Sequence, residues 1–405
     1  MIMDRLMRLL FRPAIPAQVF MTVMLSMAAH PAAADDDTDF PMLIGSSDTA
    51  LLGTKAVDSQ SFARKVNTVA VLERLKGGLF FTPEYSIQAQ ATYEPLRVAL
   101  REPHKDHMAS DEGLYLEQLY AKAEIGILML YGGKFDVPIS IAADTGPGIF
   151  GGDYATDYQL REMMGLGGVL RIETDGWGTY DLGAAGIFAD TTWLDAAAFT
   201  QPNYGSIDTA RTGRLHYGNG GEANTGNLQS PVMTLNGDGT ALDLPTLTYH
   251  LVWAQLHHGV NDAKDQTDLV ATLQYSGDLG DGIQVRPLVE GARLFHDGGS
   301  PVSSNSAVPA AQRGDYLTTG IEVSWEGWSI SGVRAQRMLI EPNNGTGLNG
   351  RSSFEHFLTG SIGYAFDFGL SASIAWKHDH SLAPDSLLNV NTDSLGVLFN
   401  YHQDF

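Results

Sequence analysis

Four aspartates, Asp136, Asp144, Asp153 and Asp157, fall in the stretch YGGKFDVPISIAADTGPGIFGGDYATDY, from Tyr131 to Tyr158, which is rich in glycine and proline. Charges of both signs recur in other segments. Arg286 and Glu290 share one face of a strand-like run, and Arg161, Arg171, Glu322, Arg334, Glu355 and Lys377 are further candidates for the same kind of wall. None of these groups is spaced for covalent work. Acidic groups held across a narrow aqueous gap from basic ones would instead set up a transverse field, which orients dipolar solutes and sets ion preference. Paired among themselves, the same charges would only stiffen the wall that carries them. Other signals are weaker. His378-Asp379-His380 and His257-His258 offer imidazoles without a spaced third ligand, so no metal is expected. The run NGDGTALD, Asn236 to Asp243, has calcium-loop residue types but lacks the terminal glutamate, and reads as a turn. No G-x-S-x-G or comparable signature appears, so neither a catalytic residue nor a cofactor is assigned and the chain is not read as an enzyme.

The elements that would position these charges are strands. In FTPEYSIQAQATYE, Phe81, Tyr85, Ile87, Ala89, Ala91 and Tyr93 lie on one face, with Glu84, Ser86, Gln88, Gln90, Thr92 and Glu94 on the other. The alternation returns through Met164–Ile172, Tyr180–Phe188, Leu269–Tyr275, Leu317–Trp325, Leu358–Phe366 and Leu370–Trp376. Aromatic residues close many of these rows, as expected of a lipid-facing stripe between two interfacial girdles. With the oily face outside, the polar face must be the interior. Backbone groups in lipid need every hydrogen bond closed, so the sheet must close on itself. The expectation is therefore an all-β, transmembrane, antiparallel up-and-down β-barrel of about fourteen strands, within a range of twelve to sixteen. Tight links such as Glu326-Gly327 and Asp367-Phe368-Gly369 alternate with long ones around 136–154, 191–244, 297–314, 341–352 and 381–392, matching short periplasmic turns and long extracellular loops.

Residues 1–34 read as a signal peptide. Arg5, Arg8 and Arg12 precede the apolar run AIPAQVFMTVMLSMAA, and Ala32-Ala33-Ala34 precedes the acidic Asp35-Asp36-Asp37. Residues 35–79 are expected to form a periplasmic or lumenal segment. A short helix is favoured there because Phe62, Val66, Val69, Leu72 and Leu75 recur at helical spacing before Gly77-Gly78, although NTVAV could equally begin a strand. The barrel is then assigned to 80–405. The chain has no cysteine, so burial and hydrogen bonding alone must hold it. With 25 Lys and Arg against 47 Asp and Glu, its charge of −22 argues against nucleic acid as a partner. No run of Arg or Lys lines any strand, which argues against a phosphate-selective passage.

The ending SLGVLFNYHQDF places Phe405, Tyr401, Phe399, Val397 and Leu395 on one face, with Gln403 interrupting. It resembles the carboxy-terminal strand of Gram-negative outer-membrane proteins, and the Tyr131–Tyr158 stretch resembles a strand and following loop of porins. That resemblance implies an outer-membrane location, with Phe405, Tyr401 and Phe399 read by the barrel-assembly machinery. It also implies contact with outer-membrane lipid and lipopolysaccharide, a passive channel for small hydrophilic solutes with cation or neutral preference, and a homotrimer as one open assembly. In that setting the Gly- and Pro-rich stretch either folds inward or stays a solvated extracellular loop. Two alternatives stand beside the channel: a plugged barrel for hydrophobic compounds, with 35–79 as the plug, and an outer-membrane hydrolase.

Overall fold

Trp325 and Trp328 are joined by Glu326 and Gly327 at φ 46° and 83°, a pair of left-handed residues whose twist matches that of antiparallel strands. Links of this economy recur along one rim of a computed structural model that describes residues 40–96, 106–109, 112–200, 215–259, 265–296, 313–340, 352–382 and 388–405. The signal peptide assigned to 1–34 lies outside the described residues, as do parts of the long links.

The first strands are β1 (Met42–Ser59), β2 (Asn67–Phe80), β3 (Tyr85–Pro95) and β4 (Glu112–Ile125). Next come β5 (Leu128–Val137), β6 (Leu160–Thr174), β7 (Gly178–Ala189) and β8 (Ser230–Gly239). The third group is β9 (Leu244–Leu256), β10 (Gln266–Tyr275), β11 (Gln284–Phe295) and β12 (Arg313–Trp325). The last are β13 (Trp328–Ile340), β14 (Ser352–Ala365), β15 (Leu370–Leu382) and β16 (Asn389–Asp404). Each pairs antiparallel with its neighbours in the chain, and β1 pairs with β16 from Ser46↔Asp404 to Ser59↔Thr392, closing a sixteen-stranded barrel.

Sixteen is the upper end of the expected range, and the two added strands are β1 and β2. They replace the N-terminal segment with its short helix; only Phe62–Arg64 is helical there, as one 3₁₀ turn. Gly77 and Gly78, read in the sequence as a helix stop, lie inside β2 opposite Gly45 and Ile44. The physical reason is that these strands blur the period of two. Leu51 and Leu52 put apolar groups on both faces of β1, and Glu73 sits on the outer face of β2. The plug foreseen in 35–79 is thus largely wall. Of the run Asn236–Asp243, Asn236–Gly239 end β8, and the expected turn is confined to Thr240–Asp243, a 3₁₀ piece at Thr240–Leu242 followed by Asp243 at φ 59°.

The outer surface is apolar, with Leu166, Leu269, Leu273, Ile321, Ile330, Ile362 and Trp376 exposed. The buried apolar cluster lies inside the barrel. Inward residues of β7 to β14, among them Ile187, Val252, Leu256, Leu294 and Phe357, pack with Val137 at the end of β5 and with Ile139, Tyr154 and Tyr158 of the link between β5 and β6.

Candidate functional site

That link, 138–159, does not stay outside. It enters the barrel after β5, runs across the interior and returns to β6. Its first limb carries one short helical turn, α1 (Ala142–Thr145), and its second a 3₁₀ turn at Ala155–Tyr158. Glycines allow the close passages. A Cβ on Gly146 would meet the Ala142 carbonyl, and a Cβ on Gly148, at φ 74°, would meet the hydroxyls of Ser331 and Ser361 on the far wall. The tip reaches β16, where Phe150 fills the space above Gly396.

Glu290, on the inner face of β11 and wholly buried, holds the loop at both ends. Its carboxylate accepts from the Ile141 and Ala142 amides at 2.8 and 3.0 Å, from the Ser140 hydroxyl, and from Tyr158 Oη at 2.7 Å. Thr272 Oγ1 of β10 adds a fifth hydrogen bond at 2.6 Å. Five donors supply the solvation that a buried carboxylate has lost, which is why it can remain there. His250 of β9 adds a contact from its Nε2 to the Ile139 carbonyl at 3.3 Å.

The returning limb is held by cations of the opposite wall. Lys377 Nζ of β15 lies 2.6 Å from Asp153, with the rings of Phe150 and Phe357 beside it. Arg337 of β13 bridges Asp157 at 2.5 Å and Glu355 of β14 at 2.6 Å, and its guanidinium lies 4.6 Å from the centre of the Tyr154 ring. Tyr154 Oη donates to Asp379, which also pairs with Arg64 at 2.7 Å. Burial, with carboxylates nearby, pushes the Tyr154 and Tyr158 hydroxyls well above the ordinary phenol range. Burial also raises Asp157 above the usual aspartate range, although Arg337 pulls it back.

Of the residues singled out in the sequence, Asp144, Asp153 and Asp157 lie on the inward loop, and Glu290, Glu355 and Lys377 on the wall it touches. Asp144 is the most open of the three aspartates, its side chain 62% exposed, with Arg161 at 3.9 Å and Gln159 donating at 3.1 Å. Asp136 belongs to β5 and ties the neighbouring strands, accepting from Gln118 at 2.8 Å and the Glu162 amide at 2.7 Å. Arg286 pairs with Glu322, and Arg171 with Asp181, each at 2.8 Å, on inward faces nearer the short turns. Arg334 is a correction: it lies on the outer face of β13, in the row of Trp328 and Ile330. Arg337, in the inward row with Ser331, Val333 and Ala335, takes the place expected of it. The outward apolar residues Trp328 and Ile330 of the same strand carry the parity that separates the two arginines.

No protein-family model and no curated protein matches the sequence. Solved structures do. Salmonella typhi OmpF in complex with daunomycin is 10% identical, with a TM-score of 0.55 over 89% of this chain and 97% of that one. OccAB3 of Acinetobacter baumannii is 10% identical, with a TM-score of 0.51 over 90% of this chain and 99% of that one. The chain has the porin fold. At such identity the likeness extends to the architecture and no further.

Proposed function

We propose that this porin-fold chain is an outer-membrane channel for passive diffusion of small hydrophilic solutes, with a preference for cations or neutral molecules. The observation that carries the reading is the inward loop. It lies against the walls of β10 to β16 and narrows the interior, with Asp144 and Asp157 among its exposed groups. Arg74 and Lys76, on the inner face of β2, supply the basic counterpart. Arg337 is shared by two carboxylates, Asp157 and Glu355, and Asp144 stays open, so the loop and its contacts leave negative charge to set the sign of the local field. Single-channel recording of the refolded chain under a salt gradient tests this. Steady steps with a cation-selective reversal potential are expected; a folded barrel that stays silent overturns the open-channel reading. Phe399 and Tyr401 on the outer row of β16, with Phe405 just beyond it, serve in the same reading as the assembly signal.

A homotrimer fits one wall in particular. Glu73 faces outward on β2, about midway up the barrel, where its carboxylate accepts from Ser47 at 2.6 Å and also from Thr49. A carboxylate facing hydrocarbon at that height is costly. Burial against other copies of the chain removes it from lipid. Light scattering in detergent, corrected for bound detergent, reads the assembly; a monomer at all concentrations overturns it.

A further inference from the structure

Between the tip of the inward loop and the short turns, the inner wall of β11 to β16 carries hydroxyls where other parts of the wall carry charges. The strand register sets them in two rows. In the upper row, Glu322 of β12 lies opposite Ser331 of β13, and Ser331 opposite Ser361 of β14. The lower row crosses from Gln284 of β11 through Ser324, Ser329, Gly363 and Ser373, and ends at Leu398 of β16. Glu322 is paired with Arg286 at 2.8 Å, so the two rows hold no uncompensated charge. They border a cavity of about 520 Å³, with Gly148 of the loop above it and Glu326 at the rim below. Small-molecule sites span about 300–1,000 Å³.

Most of these hydroxyls are unspent. Ser331 is only 8% exposed, and neither it nor Ser324, Ser329 or Ser373 has a hydrogen-bond partner among the described residues. Ser361 receives the Ile149 amide alone, at a long 3.4 Å. A buried hydroxyl without a partner is costly until something bonds to it. Gly363 keeps the floor between Ser329 and Ser373 clear, since a Cβ there would lie 2.9 Å from the Ser329 hydroxyl. Directly opposed residues of neighbouring strands stand about 5 Å apart, so the wall presents a grid of groups that each donate and accept. An ion gains little from an uncharged grid. A solute with hydroxyls along a short carbon chain replaces its lost water there, and Leu398 offers its C–H groups an apolar end.

We propose that this cavity is a subsite for a small, uncharged, polyhydroxylated solute, a polyol or simple sugar. The inference rests on the channel reading for the solute's route and narrows that reading to one chemical class.

The test uses the full chain, refolded in an amine-oxide detergent that has no sugar or glycol head group, with sorbitol as probe. The control is tetraethylene glycol dimethyl ether, whose oxygens accept but which has no hydroxyl. Saturation-transfer NMR reads binding without requiring conductance. Sorbitol should give a saturable signal that is unchanged by high salt, and the ether none. The triple variant Ser329→Ala, Ser331→Ala, Ser373→Ala should need about tenfold more sorbitol for half-saturation. It should keep the heat-dependent gel shift of a folded barrel. Equal signals from the two probes, a sorbitol signal that does not saturate, or an unshifted curve in the folded variant overturns the subsite. Conductance without sorbitol separates the two readings. A silent barrel that still binds sorbitol overturns the channel and upholds the subsite, and an open channel without saturable binding does the reverse.

Discussion

Tyr158 donates a hydrogen bond of 2.7 Å to the Glu290 carboxylate, which also receives the amide of Ile141. Residues seventeen positions apart in the chain, at opposite ends of the inward loop, are therefore fastened to one side chain of β11. That gives the loop a base of fixed width, from which Lys377 and Arg337 hold the returning limb.

Glu290→Gln should loosen the loop without opening the barrel. It removes the charge and places an amide N–H₂ before donors that need an acceptor. Each unsatisfied donor costs about 1–3 kcal/mol. Thermal unfolding in detergent should shift downward, and single-channel traces should become noisier. Unchanged traces and stability would show that the carboxylate does not hold the loop.

Asp144→Asn with Asp157→Asn should reduce cation preference. The reversal potential under a salt gradient should move toward zero while the step size changes little. A full cation preference in the double variant would place the selecting charges elsewhere.

Acidification should act on Asp157 before ordinary aspartates. Its pKa is raised in the folded protein, so the folded state binds this proton more tightly than the unfolded chain. Within the window between the two values, lowering the pH therefore adds stability through this group, while neutralising the partner of Arg337. A change in selectivity is expected above the usual aspartate range of about 4, and should vanish in Asp157→Asn. A selectivity profile identical in wild type and variant would contradict it.

Lys134→Met tests a second anchor. Lys134 is buried and lies 3.0 Å from Glu162, 3.1 Å from Asp190 and 3.1 Å from the Leu194 carbonyl. Removing the cation leaves two acids without it, a loss of about 3–5 kcal/mol for a buried pair. Limited proteolysis should cut the link between β7 and β8 faster than in the wild type. Equal cutting rates would make the lysine dispensable.

Gly45→Ala should disturb closure, because a Cβ there would run into the Phe405 ring, while the two backbones exchange hydrogen bonds of 2.8 and 2.9 Å. A smaller heat-stable fraction in detergent gels is expected. A wild-type fraction would show that the ring swings aside at no cost.

The wall was legible in the sequence wherever each face kept its own character. Leu358, Ile362 and Tyr364 outside, with Thr359 and Ser361 inside, identify β14 from the sequence alone. β1 and β2 were hidden because Leu51 and Leu52 blur one period and Glu73 breaks the other. The aspartates of the inward loop could be named, but not their partners. Arg337 and Asp157 are 180 positions apart, and only the closed sheet brings them together. Glu290 is legible in the sequence only as a charge; that it fastens both limbs depends on Tyr158 returning to it.

The pairing of β1 with β16 has a consequence for how such a chain is made. Every other long seam joins segments that leave synthesis one after the other. This one joins Ser59 to Thr392, 333 residues apart. The first strand thus keeps one edge vacant until the last strand reaches it, and an unpaired edge invites association with other chains. Something must shield that edge until the last strand arrives, so the slow step of biogenesis is set by when the final residues are delivered to the first.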